Sequence, residues 1–372
     1  MDEFNNNTST LLGLHNISLR DVGHSSSMVI IDSLITDYQF ALIMAAYSAL
    51  GIFVSSFGLV TNAINIKTFI SMGVDGGLNL SFLFLSCSEF VCFLAALGYE
   101  MAMAFWVTEI VTNYKIWFDI HPYAINNFFG NVRNCLFEIP VLITTYLSVA
   151  KCMCVVRPLH FKNMFSISKT FWVMIGISVF AIGSDVPVLA NMGVTRQFDK
   201  QINKTRPMLW LSPHRDIIKN IVWLSRDSIP AILSQAIIIV CVVVMSNTLR
   251  KSAKFRETSS SIRVTDRENG LDSRKGRKSA DVRSNKDLQV IKQVVVLSVV
   301  YILGNTPKIV VFTALQLVPD LTLGRRYQNV YIVIMNAREL SEMIMSAVNL
   351  LIYYKYNSKF RRHCQLNFFA SK

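Results

Sequence analysis

Apolar residues in this chain gather in long blocks rather than in alternating stripes. Seven blocks stand out, at roughly Phe40–Phe69, Leu78–Phe105, Phe128–Val156, Phe171–Val194, Ile221–Ser246, Val290–Leu317 and Val330–Tyr354. Each approaches or exceeds the ~20 residues that a helix needs to cross a ~30 Å hydrocarbon core. Backbone groups in lipid have no water to bond, so such blocks must satisfy themselves as helices. The pattern predicts an all-α membrane protein, a bundle of seven transmembrane helices. The third and fifth blocks carry more polar residues than a lipid-facing helix tolerates, and are expected to face the interior.

The polar connections set an orientation. Segment 157–169 is basic, and so is 249–287; the tail adds Lys355, Lys359, Arg361 and Arg362. Before Phe40 there is one basic residue, Arg20, among several acids. An excess of Lys and Arg marks the cytoplasmic side. The expected arrangement is therefore an outside tail over 1–37, a seven-helix domain over 38–356 and a short inside tail over 357–372. The acidic start, with no apolar run behind it, does not read as a signal peptide, which leaves targeting to the first helix. A multi-pass protein of the plasma membrane is expected.

Composition narrows the class. Of 372 residues, 52% are hydrophobic and 16% charged, where soluble domains average about 25% charged. The net charge of +13 does not argue for nucleic acid. Twelve Lys and Arg fall between Arg250 and Lys286 in one loop, with no stacking aromatics interleaved on a folded surface. The seven cysteines lie inside apolar blocks or near their inner ends, where small buried apolar residues are the ordinary reading. The predicted outside loops hold none, so no outer disulfide is available.

Other signals are local. Asn6, Asn7 and Asn16 open glycosylation sequons in the first tail, and Asn203 opens one in a predicted outside loop. Residues 249–287 lack an apolar period and are expected as disordered chain or extended helix ends. Ser259, Ser260, Ser261 and Ser279 sit among basic residues there, where phosphorylation would reset the charge. Phe360, Cys364 and Phe368 fall at i, i+4 and i+8 beside Arg361 and Arg362. That spacing fits a short helix lying in the membrane interface, with Cys364 a candidate for lipidation.

Gly58 to Asn62, Asn79 to Glu89, Ser148 to Leu159, Pro230, Pro307 and Asn349 to Tyr353 together resemble, across all seven blocks, the motifs of the rhodopsin-like (class A) G-protein-coupled receptors. Gly58 to Asn62 (Gly-Leu-Val-Thr-Asn) is similar to the first-helix signature, with Asn62 the polar anchor. Asn79 to Glu89 is similar to the second-helix pattern that normally ends in Asp. Ser148 to Leu159 resembles the third-helix end and its Pro158-Leu159 turn. Pro230 and Pro307 fit the fifth- and sixth-helix prolines, and Asn349 to Tyr353 the seventh-helix Asn-Pro-x-x-Tyr. Asn305 to Lys308, Arg338-Glu339 and Ile352 to Arg361 further resemble divergent molluscan orphan and chemosensory-type receptors. The resemblance implies a receptor that binds an extracellular ligand and signals through a heterotrimeric G-protein. Lys151, Cys152, Pro158 and Leu159 would form the coupling end, and Asn62, Glu89, Pro230, Pro307, Asn349 and Tyr353 the activation core. Kinases and arrestin would act at the long basic loop.

The departures are specific. The acidic-Arg-aromatic triplet stands as Ala150-Lys151-Cys152. Lys lacks the planar guanidinium fork, and Ala150 removes the acid, so no resting ion pair is expected there. Leu350 replaces the seventh-helix proline, Asn305 the aromatic before Pro307, and the outer cysteine of the third helix is missing. No cofactor is implied beyond the sodium that the family's Asp binds, and Glu89 is a longer side chain in altered surroundings.

Ionisable groups inside a membrane cost about 2.5–3.5 kcal/mol each on insertion scales and need partners or a wet cavity. By depth they divide in two. Glu89 lies mid-membrane, where the resemblance sets it facing Asn62 and Asn349; a structural polar knot is the competing reading. Arg133, Glu138, Arg226, Asp227, Lys308, Arg338, Glu339 and Glu342 fall in the outer halves, with Asp185 as a further charge in the fourth block. Arg338 and Glu342 are at i, i+4 and can pair. Mutual neutralisation is one reading; an outer pocket for a polar or zwitterionic small molecule or peptide is the other. A transporter would show internal repeats with broken helices, and none is visible. No nucleophile–base or metal pair stands out, so an enzyme is not expected.

Overall fold

In the computed structural model the described residues are 35, 37–74, 76–156, 165–265, 274–318, 320–321 and 326–368. Helices α1 (Asp37–Met72), α2 (Gly77–Val111), α3 (Pro122–Val156) and α4 (Ile167–Ala190) come first. A hairpin follows, β1 (Met192–Asp199) and β2 (Lys204–Leu211), antiparallel with Met192 opposite Leu211 and Asp199 opposite Lys204. Next come α5 (Arg215–Val222), a π-helical turn over Trp223–Ser228, α6 (Ile229–Thr265), α7 (Arg274–Leu317), α8 (Gln328–Ala347), α9 (Asn349–Tyr356) and α10 (Ser358–Phe368).

Among the described residues, six helices are long and apolar enough to cross a membrane: Gln39–Met72, Gly77–Val111, Pro122–Cys154, Ile167–Ala190, Trp223–Thr248 and Lys292–Leu315. Their outer faces present large apolar side chains to the surroundings, Phe53, Trp172 and Val240 among them. Apolar surface of that extent belongs against lipid, not water. The protein is a helical, multi-pass membrane protein. Of the two blocks expected to face inward, the third does so most completely. The fifth exposes much of its length, and the other well-buried helix is α2.

Element boundaries correct three expectations. The fourth block was expected to run to Val194, but α4 stops at Ala190. Asn191 caps it, its side-chain amide donating to Pro187 O at 2.8 Å, and the strand begins at Met192. The fifth block, expected from Ile221, begins on the last two residues of a separate helix, α5, and then passes through the π turn. The seventh divides at Val348 into α8 and α9. Arg338, Glu339 and Glu342 crowd one helical turn of α8, which lowers its apolarity below that of the six others. In the basic loop, α6 runs on to Thr265 and α7 begins at Arg274, so the extended-helix reading describes these backbones.

The bundle is closed by α1 against α2 and α8, α2 against α3, α3 against α6, and α7 against both α6 and α8. One end is a dense apolar core. Phe69, Phe82, Tyr353 and Phe360 stack there at centroid distances of 5.0–5.8 Å, beside Ile143, Leu147 and Met245. Helix α10 folds back onto α1, where Lys359 Nζ donates to Met72 O at 2.9 Å, a cation at a helix C-terminus. Gly58 lets α1 approach α2, since a Cβ there would meet Phe93 Cδ1 at 2.6 Å. Away from this core, the interior is polar.

Candidate functional site

The polar interior begins with a proline. Pro230 has no N–H, and in α geometry its ring would strike the carbonyl four residues back, that of Arg226. The chain widens instead: Ile229 N–H reaches back five residues to Leu224 O, and Ser228 Oγ donates to Trp223 O at 3.1 Å. Such π turns recur at functional sites because they re-aim side chains. Here Arg226 and Asp227, neighbours in sequence, are both buried.

Arg226 links three elements. Its Nη1 donates to Asp185 Oδ1 on α4 at 2.5 Å, and its Nη2 to Asn134 O on α3 at 2.7 Å. Its Nε lies 3.5 Å from Asp227 Oδ1. Asn134 also receives Arg133 Nη2 at 3.4 Å. Arg133 pairs with Glu339 on α8 and lies over the Tyr99 ring at 4.9 Å. Glu339 is shared, since Arg338 donates to it at 3.2 Å and to Glu342 at 3.3 Å. Lys308 on α7 holds Glu138 on α3 at 3.3 Å. Phe312 joins the two halves, with Arg338 and Lys308 at 5.8 and 5.9 Å from its ring. All eight outer charges expected from the sequence, and Asp185, thus fall into one buried lattice drawn from α3, α4, the π turn, α7 and α8.

Glu100 belongs to it and was not anticipated. It is buried on α2 near Arg133, and its carboxyl lies against the bare Cα of Gly51, where a Cβ would meet Glu100 Cγ at 2.8 Å. The signal was present in the sequence: eleven residues after Glu89 is three helical turns, the same face.

Below the lattice is a cavity of about 50 Å³. Glu89 and Glu342 line it with Tyr301, Asn305 and Asn349, and among the described residues no Lys or Arg does. A second, smaller space of about 10 Å³ touches both Glu89 and Arg133. The expected division of the charges by depth therefore gives way to continuity, because Glu89 shares walls with lattice members. Asn349 Nδ2 donates to Glu89 Oε1 at 2.6 Å, as the resemblance implied. Asn62 does not reach it: its amide donates to Gly58 O at 3.0 Å and its oxygen accepts from Asn65. Asn305 turns to Gln235 on α6 at 3.2 Å, two residues before Pro307 in α7.

At the other end of the bundle, Lys151 is buried and Cys152 half-buried. Ser148 and Ser298 hydroxyls meet at 2.8 Å between α3 and α7. Cys364 is 4% exposed, packed in the same core as Phe69 and Phe360. The Tyr353 ring is fully buried in that core too. Pro158, Leu159, Asn6, Asn7, Asn16 and the side chains of the loop serines lie outside the described residues. Asn203 is exposed at the hairpin turn with φ 52°, a left-handed position that Asn tolerates.

That hairpin carries a second charged assembly missed in the sequence. Arg206 Nε donates to Asp199 Oδ2 at 2.7 Å. Its Nη1 reaches Glu109 Oε1 at 2.5 Å and Phe118 O at 3.0 Å, and its Nη2 reaches Glu109 Oε2 at 3.1 Å. Burial alone would lower the Arg206 pKa, but Glu109 and then Asp199 raise it above the usual value. His121 N–H donates to Pro207 O at 3.0 Å. Burial, and then the Arg206 charge, push the His121 pKa down. The clamp ties β2 to the C-terminal end of α2 without a covalent bond.

The chain matches no protein-family model and no curated protein sequence.

Proposed function

We propose that the chain is a cell-surface receptor of the rhodopsin-like kind, with α8 and α9 together as a seventh span and its first residues outside. A polar extracellular ligand enters beneath the hairpin and engages the charged lattice. The observation that carries this reading is the lattice itself: ten buried charges from six elements, converging on a cavity. Pure structure rarely spends so much desolvation in one place.

A ligand that breaks the Lys308–Glu138 or Arg133–Glu339 pair and replaces it favours one arrangement of α3, α7 and α8 over another. Differential contact of that kind shifts the population. Helix α7 carries the change inward past Pro307 to the Ser148–Ser298 contact, opening a groove beside Lys151 for a G-protein. A ligand screen read by a fluorophore at the inner end of α7, followed by nucleotide exchange on purified G-proteins, tests the two halves in turn. Agonist-dependent movement with exchange is expected. Movement without exchange would leave a receptor-like bundle that does not couple, and substrate flux in liposomes would make it a transporter. Tags on the two chain ends appearing on one face of the cell would overturn the seven-span topology.

A further inference from the structure

We infer that the lattice and its cavity are completed by a donor-rich organic cation, an amine or guanidinium compound of net positive charge. This rests on the outer-pocket part of the receptor reading, not on coupling.

The lattice cations are Arg133, Arg226, Lys308 and Arg338, with Arg215 buried at its rim near Asp185. Against these five stand the carboxyls of Glu100, Glu138, Asp185, Asp227, Glu339 and Glu342, and Glu89 below them. Two carboxyls are left over. An uncompensated buried charge is costly in a low-dielectric interior, so the two surplus carboxyls must take up either two protons or two positive charges brought by a ligand.

The geometry says where they would sit. The larger cavity is walled by Glu89 and Glu342 with no Lys or Arg among the described residues in its lining. Glu89 Oε2, 3% exposed as a residue, has no hydrogen-bond partner among the described residues, and Tyr301 Oη on the same wall has none. Elsewhere in the lattice, off the cavity wall, Glu100 Oε2, Glu138 Oε1 and Glu339 Oε2 also accept nothing. Open carboxylate oxygens outnumber the open nitrogens of Arg133 and Arg338, and the excess calls for N–H donors that carry charge. A carboxylate or phosphate ligand would add to the surplus, and a zwitterion would leave it unchanged.

Three five-carbon probes separate these cases on the purified full chain: 1,5-diaminopentane, 5-aminopentanoate and glutarate. The diamine is expected to raise the thermal unfolding midpoint with saturation, as a ligand of the native state must. The zwitterion should do so at least tenfold more weakly, and glutarate not at all. Glu342→Gln and Glu100→Gln, singly and together, should weaken the diamine tenfold or more while the unliganded protein keeps or gains stability. Glutarate or 5-aminopentanoate matching the diamine would overturn the proposal. So would equal stabilisation by sodium chloride alone, by acid alone, or no response to the diamine. No G-protein is present, so diamine binding without nucleotide exchange elsewhere would sink only the coupling.

Discussion

The hairpin clamp and the helical lattice use the same chemistry to opposite ends. In the clamp, Arg206 spends every guanidinium nitrogen on Glu109, Asp199 or the Phe118 carbonyl. In the lattice, Glu138, Glu339 and Asp185 each keep one oxygen without a partner, and Arg133 and Arg338 one nitrogen each. A saturated assembly has nothing left to offer a ligand; its energy is already committed to holding β2 on α2. An unsaturated one can exchange partners at modest cost. The contrast separates a fastener from a site better than burial does, because both are almost fully buried.

Removing Arg206 should produce the largest loss. Arg206→Ala strands two buried carboxylates, which costs about 3–5 kcal/mol when one member of a buried pair is removed. A thermal midpoint and surface-expression assay should show it, with Arg206→Lys giving little rescue because an ammonium cannot fork. Glu339→Gln should cost less, about 1–3 kcal/mol as for a buried group left unsatisfied, because Arg338 keeps Glu342 and Arg133 keeps Tyr99. A double-mutant cycle between Arg133 and Glu339 measures that coupling directly; a loss as large as at Arg206 would erase the distinction between the two assemblies.

Asn349→Ala removes the one hydrogen bond given to Glu89 from α9 and should destabilise by about 1 kcal/mol, within the range for single buried bonds. Urea unfolding of the purified chain reads it. The smallest effect is expected from acid at the hairpin. The folded His121 pKa is depressed, so below the ordinary value of about 6.5 the chain with His121 released from the hairpin binds the proton more readily than the folded one. Stability is then lost as pH falls from that value toward the folded pKa. Hydrogen exchange over 192–211, corrected for intrinsic rates, should quicken at pH 5.5 relative to pH 7.5. A His121→Gln chain should lose that dependence.

Legibility tracked the range of the interaction. Arg338 and Glu342 were paired on paper because i, i+4 neighbours meet on any helix. The Phe360 and Cys364 stripe was readable for the same reason, and both residues are buried in the core. Glu109 was not read at all, since nothing near it in sequence announces Arg206, 97 positions away. The π turn went unread because a proline shows that a helix must adjust, but not how. Asn62 was assigned to Glu89 by resemblance and bonds within its own helix instead.

By itself the sequence determined what solvent each stretch must have. Blocks of apolar residues longer than the oil is thick leave the backbone no alternative to helix, and ionisable residues inside them announce an interior that is not oil. Which charge meets which was decided only by tertiary structure, because ion pairs between helices depend on rotation and packing that no local pattern encodes. The shared walls of Glu89 and Glu342, and the surplus of carboxyls around them, exist only once α2, α3, α7 and α8 are closed together.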